Sequence, residues 1–244
     1  MELLRKACPR KGFQTLVCPE CADLKYLSLG QLLLEAGESF DQSTYGVETA
    51  LVVLSGQVTL SADDTRFEKV GSRATVFDGP ATALYVPLGS SWCVKAHTDC
   101  EVLACSAPAT NRHPVQFVSP AEVGIREVGR GNWTRHVHDL MLDNIQADHL
   151  ILGETFNPPG NWSSYPPHKH DFENPPDEVK LEEVYHYRLN PSQGFGLQRI
   201  YTDDRSLDAT FCVEEGDTMV IPKGYHPVAA AGGYELYYFW VLAG

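Results

Sequence analysis

The chain has 244 residues, of which 43% are hydrophobic and 10% are aromatic. This composition can build a substantial core and excludes a disordered protein. The 32 acidic residues outnumber the 19 Lys and Arg residues, which gives a formal net charge of −13. Because such a surface repels phosphate backbones and anionic lipids, we expect neither a nucleic-acid partner nor a membrane partner.

The sequence also favours a cytoplasmic protein. The longest apolar run, residues 237–243, reaches about a third of the length that a membrane-spanning helix requires. Residues 1–17 contain basic side chains but no apolar stretch typical of a secretory signal. The seven cysteines form an odd count, and we expect them to remain reduced thiols.

The first half reads as short β-strands separated by Gly, Pro and Asp. Residues 49–54 and 57–61 are rich in β-prone side chains and flank Ser55 and Gly56, a pattern that predicts a β-hairpin. Further strands are predicted at residues 74–77, 83–86, 92–96 and 100–105.

The composition changes at residues 107–114 to Ala, Pro, Thr and Asn, which predicts a linker. Residues 119–122 follow the pattern of a capping box with Pro at the first helical position, so we expect one short helical turn. The second half returns to β patterns, with strands predicted at residues 149–156, 184–189, 196–201, 210–213, 218–221 and 235–242.

Many short strands with almost no helical period are typical of an all-β sandwich or barrel. Residues 85–92 (YVPLGSSW) are similar to residues 220–226 (VIPKGYH), which indicates a duplication. In both phrases Pro-x-Gly ends a strand, but the first has Trp92 near the point where the second has His226. We therefore predict two all-β domains, each a sandwich or a barrel with little helix, over residues 1–110 and 111–244.

The sharpest local signal for chemistry is the pair His168 and His170. In a β-strand, residues i and i+2 share a face, so both imidazoles are expected to point into one cavity. Imidazole is the commonest metal ligand in proteins. His226 follows the phrase Gly-x5-Pro-x-Gly-x, whose tight turn would bring a third imidazole to the same cavity. Surface or core histidines are the alternative, which the acidic strand and the glycine phrase disfavour.

Glu183 is the predicted acidic ligand. It lies in the β-prone run LEEVYHY (residues 181–187), where Glu-Val-Tyr opens the strand. Because alternate residues of a strand share a face, Tyr185 and Tyr187 are expected in the same cavity. Three histidines and one carboxylate leave one or two coordination positions for substrate or water. This donor set suits one divalent ion, Zn, Mn, Fe or Ni, among which the sequence does not choose. Three acidic residues of the preceding segment are alternatives to Glu183: Glu173, Glu178 and Glu182.

The order HxH, Glu, Gly-x5-Pro-x-Gly-x-His resembles the two motifs of the cupins, whose family fold is a small β-barrel with the metal inside. Two departures are a longer insertion before the acidic ligand and a final His that comes one residue early. Several stretches resemble more narrowly the 5-deoxy-glucuronate isomerase family of bacterial myo-inositol catabolism: residues 126–139 (REVGRGNWTRHVHD), 156–171 (FNPPGNWSSYPPHKHD), 181–185 (LEEVY), 194–204 (GFGLQRIYTDD) and 216–228 (GDTMVIPKGYHPV).

This resemblance implies a bicupin of two small, jelly-roll-like β-barrel domains. Residues 1–110 would be a degenerate cupin domain without metal, and residues 111–244 the metal-binding catalytic domain. It implies conversion of 5-deoxy-D-glucuronate, a small anionic sugar acid, to 5-dehydro-2-deoxy-D-gluconate. An enediol route would use a metal as Lewis acid and a positioned base. The base stays open between a second carboxylate, a metal-activated hydroxide, Tyr185 and Tyr187. Arg199 is either a partner of the substrate carboxylate or an exposed strand residue.

Two other functions are kept as alternatives. A pectin-pathway uronate ketol-isomerase would share the cupin plan, and a non-catalytic sugar-binding cupin would use its metal structurally. A structural site fills every metal position with protein ligands, whereas this one is expected to leave a cavity. The sequence leaves open whether the chain forms a homo-oligomer and whether isomerisation proceeds by proton transfer or by hydride shift.

Overall fold

A computed structural model describes residues 2–244. None of the described helices reaches the length and apolar character that a membrane crossing requires. Within residues 2–244 the structure is almost entirely β, interrupted by one four-residue α-helix, Pro19–Ala22, and two 3-10 turns, Val76–Asp78 and Gly131–Trp133. The strands are β1 (Leu4–Arg5), β2 (Gly12–Val17), β3 (Ser28–Leu34), β4 (Ser39–Ser43), β5 (Val47–Ser55), β6 (Val58–Ala62), β7 (Thr65–Val70), β8 (Thr82–Val86), β9 (Ser91–Ala96), β10 (Cys100–Pro108), β11 (Gln116–Val118), β12 (Gly124–Val128), β13 (Arg135–Met141), β14 (Ile151–Asn157), β15 (Trp162–Ser163), β16 (Glu182–Asn190), β17 (Gly196–Tyr201), β18 (Asp208–Val213), β19 (Thr218–Ile221), β20 (Val228–Ala230) and β21 (Glu235–Ala243).

The strands form two barrels, each made of one large and one small antiparallel sheet. The first barrel combines a six-stranded sheet, in the order β11-β8-β5-β10-β3-β2, with the four-stranded sheet β4-β9-β6-β7. The second combines a seven-stranded sheet, β1-β19-β16-β21-β14-β13-β12, with the four-stranded sheet β15-β20-β17-β18. The prediction of an all-β chain with two small barrels and little helix is confirmed.

Two edge strands cross the boundary that the sequence predicts at residue 110. Strand β1, near the N-terminus, pairs with β19 of the second barrel, with Leu4 opposite Met219. Strand β11, which follows the predicted linker, pairs with β8 of the first barrel, with Phe117 opposite Leu84. Each barrel thus receives a strand that covers an open sheet edge, where unpaired backbone groups would otherwise be exposed.

The predicted hairpin at residues 49–61 is wrong. Strand β5 pairs with β8 and β10, whereas β6 pairs with β7 and β9, so the chain passes from the large sheet to the small one between them. Gly56 makes this crossing with a φ of +85°, and a Cβ there would lie 2.3 Å from the Asp99 carbonyl oxygen. Glycine is therefore required here because two chain segments lie very close together, and not because it forms a two-residue hairpin turn.

Two further local predictions needed correction. Residues 74–77 do not form a strand, because the Thr75 hydroxyl accepts a hydrogen bond from the Phe77 N–H and starts the 3-10 turn Val76–Asp78. The capping box at residues 119–122 forms, with the Ser119 N–H donating to the Glu122 carboxylate at 2.9 Å, but it closes a single turn without a helix. The strands predicted in the second half are confirmed, with end shifts of a few residues.

The two large sheets pack face to face, so their central strands are buried on both sides. In β21, Tyr237, Phe239 and Val241 belong to a core cluster that also contains residues of the first barrel. The alternate residues Tyr238 and Trp240 belong to the interior of the second barrel. This two-sided burial explains why β21 reads as a continuous apolar run rather than as an alternating one.

A buried ion pair connects the two barrels. The Arg73 guanidinium donates to both oxygens of Glu154, at 2.6 and 3.2 Å, and the exposed fractions of these residues are 4% and 0%. The Tyr237 hydroxyl adds a third hydrogen bond, at 2.8 Å. Burial alone would raise the pKa of Glu154, but the guanidinium outweighs it and the pKa is lowered.

We predict that Arg73→Leu lowers the free energy of unfolding by about 3–5 kcal/mol, because it leaves a carboxylate buried without a cation. The double variant Arg73→Leu/Glu154→Leu should recover most of this loss, since both charges are then removed. Urea unfolding followed by tryptophan fluorescence measures the differences. Arg66→Leu, which removes a pair whose side chains are 56% and 67% exposed, is the control and should cost less than about 1 kcal/mol. Equal losses in the single and double variants would contradict the interpretation.

Candidate metal centre

Three histidines converge in the second barrel. One ring nitrogen from each of His168, His170 and His226 lies within 4.8 Å of the others. The rings of His168 and His170 have centroids 5.1 Å apart, and His168 lies 4.7 Å from His226. The prediction that the first two lie on a β-strand is wrong, because residues 167–171 form an irregular segment between β15 and β16. Both rings nevertheless converge on the His226 imidazole.

His226 is held in one orientation by the turn that precedes it. Its Nδ1 lies 2.9 Å from the Gly224 carbonyl oxygen, and because a carbonyl only accepts, Nδ1 carries the proton. Nε2 is therefore left with a free lone pair. Gly224 has a φ of +91°, and a Cβ there would lie 2.7 Å from the Tyr201 carbonyl oxygen. Its N–H donates to Asp171 at 2.6 Å, which ties this turn to the segment of the other two histidines.

Glu183 is the carboxylate that the fold brings to the histidines. It lies on the interior face of β16, 4% exposed, with its Oε2 3.1 Å from His226 Nε2 and 3.9 Å from His170 Nε2. The three alternatives are engaged elsewhere with backbone N–H groups: Glu173 with Lys180, Glu178 with Asp171 and Phe172, and Glu182 with Lys25 and Tyr26.

These four side chains fit a divalent metal ion. His226 Nε2 and Glu183 Oε2 are buried, and neither has a hydrogen-bond partner among the described residues. Two acceptors 3.1 Å apart repel each other unless a positive charge lies between them. Three imidazole nitrogens and one carboxylate oxygen are the ligand types that Zn, Mn, Fe and Ni take in proteins.

The pKa values of the three histidines also depend on the charge of Glu183 and on burial. Burial would lower the pKa of His226, but the Glu183 carboxylate outweighs it and raises the pKa. The pKa of His168 falls to about 4, because lost hydration and the neighbouring His226 disfavour a second charge there. The pKa of His170 is lowered for the same two reasons, with burial the larger. The two lowered values keep His168 and His170 neutral and able to bind a metal near neutral pH.

Tyr185 and Tyr187 lie on the same face of β16 as Glu183, deeper in the barrel. The Tyr185 hydroxyl is 2.8 Å from the Ser164 hydroxyl, and its ring centroid is 6.0 Å from that of His226. The Tyr187 hydroxyl donates to Gln198 at 2.8 Å. Burial, followed by nearby carboxylate and tyrosine groups, raises the pKa of both tyrosines well above the usual value.

Arg199 is not brought to the histidines. It alternates on β17 with the buried Gln198, so its side chain points outward, and it is 44% exposed. Its guanidinium donates to both oxygens of Asp208, each at 2.9 Å, and lies over the Tyr201 ring. Sequence parity could have indicated this orientation, because the inward positions of β17 alternate with Arg199.

The structure also adds residues that sequence reasoning missed. The Tyr238 hydroxyl lies 2.5 Å from the Ser163 hydroxyl, beside the Tyr185 ring at a centroid distance of 4.4 Å. A cavity of about 830 Å³ opens beside His170 and is lined in part by Lys25 and Tyr26 of the first half. No local sequence pattern predicts that these residues of the first half line the cavity, because their position depends on how the two barrels pack.

Comparisons with known proteins agree with this architecture. A family model described as the KduI/IolB family matches residues 3–244. The 5-deoxy-glucuronate isomerase of Geobacillus kaustophilus is 44% identical over 229 residues, covering 93% of this chain and 83% of the relative. The protein of the same name from Bacillus subtilis is 37% identical over 225 residues, covering 91% and 83%.

Solved structures support the same conclusion. The crystal structure of an IolB-like protein from Salmonella typhimurium has a TM-score of 0.96 at 40% identity, covering all of this chain and 93% of that one. Oxalate decarboxylase from Lactobacillus farciminis, a bicupin, has a TM-score of 0.68 at 13% identity, covering 100% of this chain and 86% of that one, which shows the shared fold alone. The predicted bicupin fold and the predicted family are thereby confirmed, and the chain belongs to the KduI/IolB family.

Proposed function

We propose that this chain is a metal-dependent aldose–ketose isomerase that converts 5-deoxy-D-glucuronate to 5-dehydro-2-deoxy-D-gluconate in inositol catabolism. The observation that carries the proposal is the convergence of His168, His170, His226 and Glu183 beside a cavity, in a chain 37–44% identical to proteins named 5-deoxy-glucuronate isomerase. We also place the chain in the cytoplasm, because its seven cysteines are all free, as in a reducing compartment.

One divalent ion would be held by the three histidines and Glu183. When bound, it would supply a Lewis acid for the oxygens of an enediolate, whose charge is costly in water. The Gly224 carbonyl keeps His226 in the tautomer that such binding needs. For an ion that takes five or six ligands, these four side chains would leave one or two positions for the substrate, in contrast to a closed structural site.

The buried tyrosines are suited to hold protons rather than to remove them. With its pKa raised well above the usual value, Tyr185 stays protonated near neutral pH and can donate a hydrogen bond to a substrate oxygen. The Ser164 hydroxyl fixes its orientation at 2.8 Å. The Tyr187 hydroxyl donates a hydrogen bond to the buried Gln198 side chain. Proton removal therefore falls to a carboxylate or an activated water more readily than to either tyrosine.

We predict that His168→Ala, His170→Ala and His226→Ala each lower bound metal well below one ion per chain. Turnover should fall by about a thousandfold, because several kcal/mol of charge stabilisation are lost. Elemental analysis of the purified variants and a uronate isomerisation assay provide the measurements. His136→Ala, at an exposed position of β13, is the control and should keep both metal and activity. Full metal content in all three variants would rule out this site.

The second prediction concerns the chemical route. Isomerisation in deuterated water should place solvent deuterium on the carbon that receives the proton, because the abstracted proton exchanges while it sits on a protein group. Mass spectrometry and NMR of the product measure the incorporation. Product that retains every substrate hydrogen would establish a hydride shift instead. Absence of product from 5-deoxy-D-glucuronate, with metal present, would contradict the proposed function; turnover of a pectin-pathway uronate would then favour the ketol-isomerase, and binding alone a sugar-binding cupin.

A further inference from the structure

The cavity beside His170 is built by both halves of the chain. Glu182, the residue before the acidic ligand, accepts hydrogen bonds from the backbone N–H groups of Lys25 at 2.5 Å and Tyr26 at 2.8 Å. These contacts hold a segment of the first half against the second barrel, where it lines the cavity of about 830 Å³. This cavity therefore adjoins the histidine cluster at His170 and has walls from both halves of the chain.

The acidic side chains that line this cavity already have partners. Each carboxylate accepts a hydrogen bond or forms an ion pair with a neighbouring group: Asp171 with the Gly224 N–H at 2.6 Å, Glu173 with the Lys180 N–H at 3.3 Å, Asp203 with Lys169 Nζ at 3.1 Å and Asp204 with the Ser206 N–H at 3.1 Å. These contacts connect the segments that line the cavity.

The lysines that line the cavity differ in this respect. Lys25 is engaged, with its Nζ 3.0 Å from the Tyr26 hydroxyl. Lys180 and Lys223 also line the cavity, and within residues 2–244 neither ammonium group has a carboxylate oxygen inside 4.0 Å. Lys180 and Lys223 are thus cations without a carboxylate partner, in a cavity that His170 also lines. An ammonium group of this kind can attract an anion even in a chain with a net charge of −13.

We propose that Lys180 and Lys223 bind the carboxylate of the sugar acid whose carbonyl end lies at the histidines. This inference rests on the proposed function and names the recognition element of that site. In a six-carbon uronate the carboxylate and the aldehyde lie at opposite ends, about 6 Å apart when the chain is extended. The cavity extends from His170 to the two lysines, whereas Arg199 points outward and is already paired with Asp208.

The experiment compares 5-deoxy-D-glucuronate with 5-deoxy-D-glucose, the same sugar carrying an alcohol in place of the carboxylate. Lys180→Met and Lys223→Met should each raise KM for the uronate about tenfold, and the double variant about 30- to 100-fold, with kcat changed less than about threefold. The preference of the wild type for the uronate over the neutral sugar should disappear in the double variant. Lys223→Arg should retain most of the preference, because it keeps the charge.

Lys95→Met is the matched control, since Lys95 is an exposed lysine on β9 of the first barrel and its loss should leave both parameters unchanged. Metal content and melting temperature of every variant should match the wild type, because all three lysines are exposed. A wild-type enzyme that isomerises the uronate while the double variant keeps KM and preference within about twofold would overturn the subsite alone. A wild type that leaves the uronate unchanged would remove the proposed function and the subsite with it.

Discussion

Face-to-face packing of the two large sheets is the constraint on which the rest of the molecule depends. Strands β16 and β21 are covered on both sides, so each successive side chain goes either to the barrel interior or to the interface between barrels. Val184 belongs to the interface cluster, and Tyr185 belongs to the interior. A register slip of one residue would move Glu183 from the histidines into the apolar interface. Packing between the barrels therefore fixes the position of a candidate metal ligand.

The first barrel contributes to the site although its own interior is filled. Trp92 is 2% exposed there and packs beside Phe40, at a centroid distance of 5.7 Å. Its contribution comes instead from its surface, where Lys25 and Tyr26 bind Glu182 and form one side of the cavity. The first barrel therefore acts on the candidate site through its surface residues rather than through its core.

Sequence reasoning succeeded where a rule depends on nearest neighbours along the chain. Short β-prone runs between turn residues located β14, β16 to β19 and β21, though not the short strands β15 and β20. Parity placed Glu183 and Tyr185 on one face. Sequence reasoning failed where the partner is distant: residues 49–61 have the composition of a hairpin, yet the two strands join different sheets. The segment of His168 keeps the expected side-by-side rings without a strand, since no neighbouring strand pairs with it. The unpaired state of Lys180 depends on contacts that only the folded chain defines.

The two departures from the usual cupin spacing have one structural explanation. The insertion between His170 and Glu183 closes on itself, because the Glu178 carboxylate accepts the backbone N–H groups of Asp171 at 2.6 Å and Phe172 at 2.9 Å. Asp171 in turn binds the Gly224 N–H, in the turn that carries the early final histidine. The insertion therefore links the segments that contain the three candidate histidine ligands. Hydrogen bonds, rather than strand pairing, hold these segments in place. Since the same insertion presents Lys180 to the cavity, the extra length that departs from the motif also provides the charge proposed to recognise the substrate.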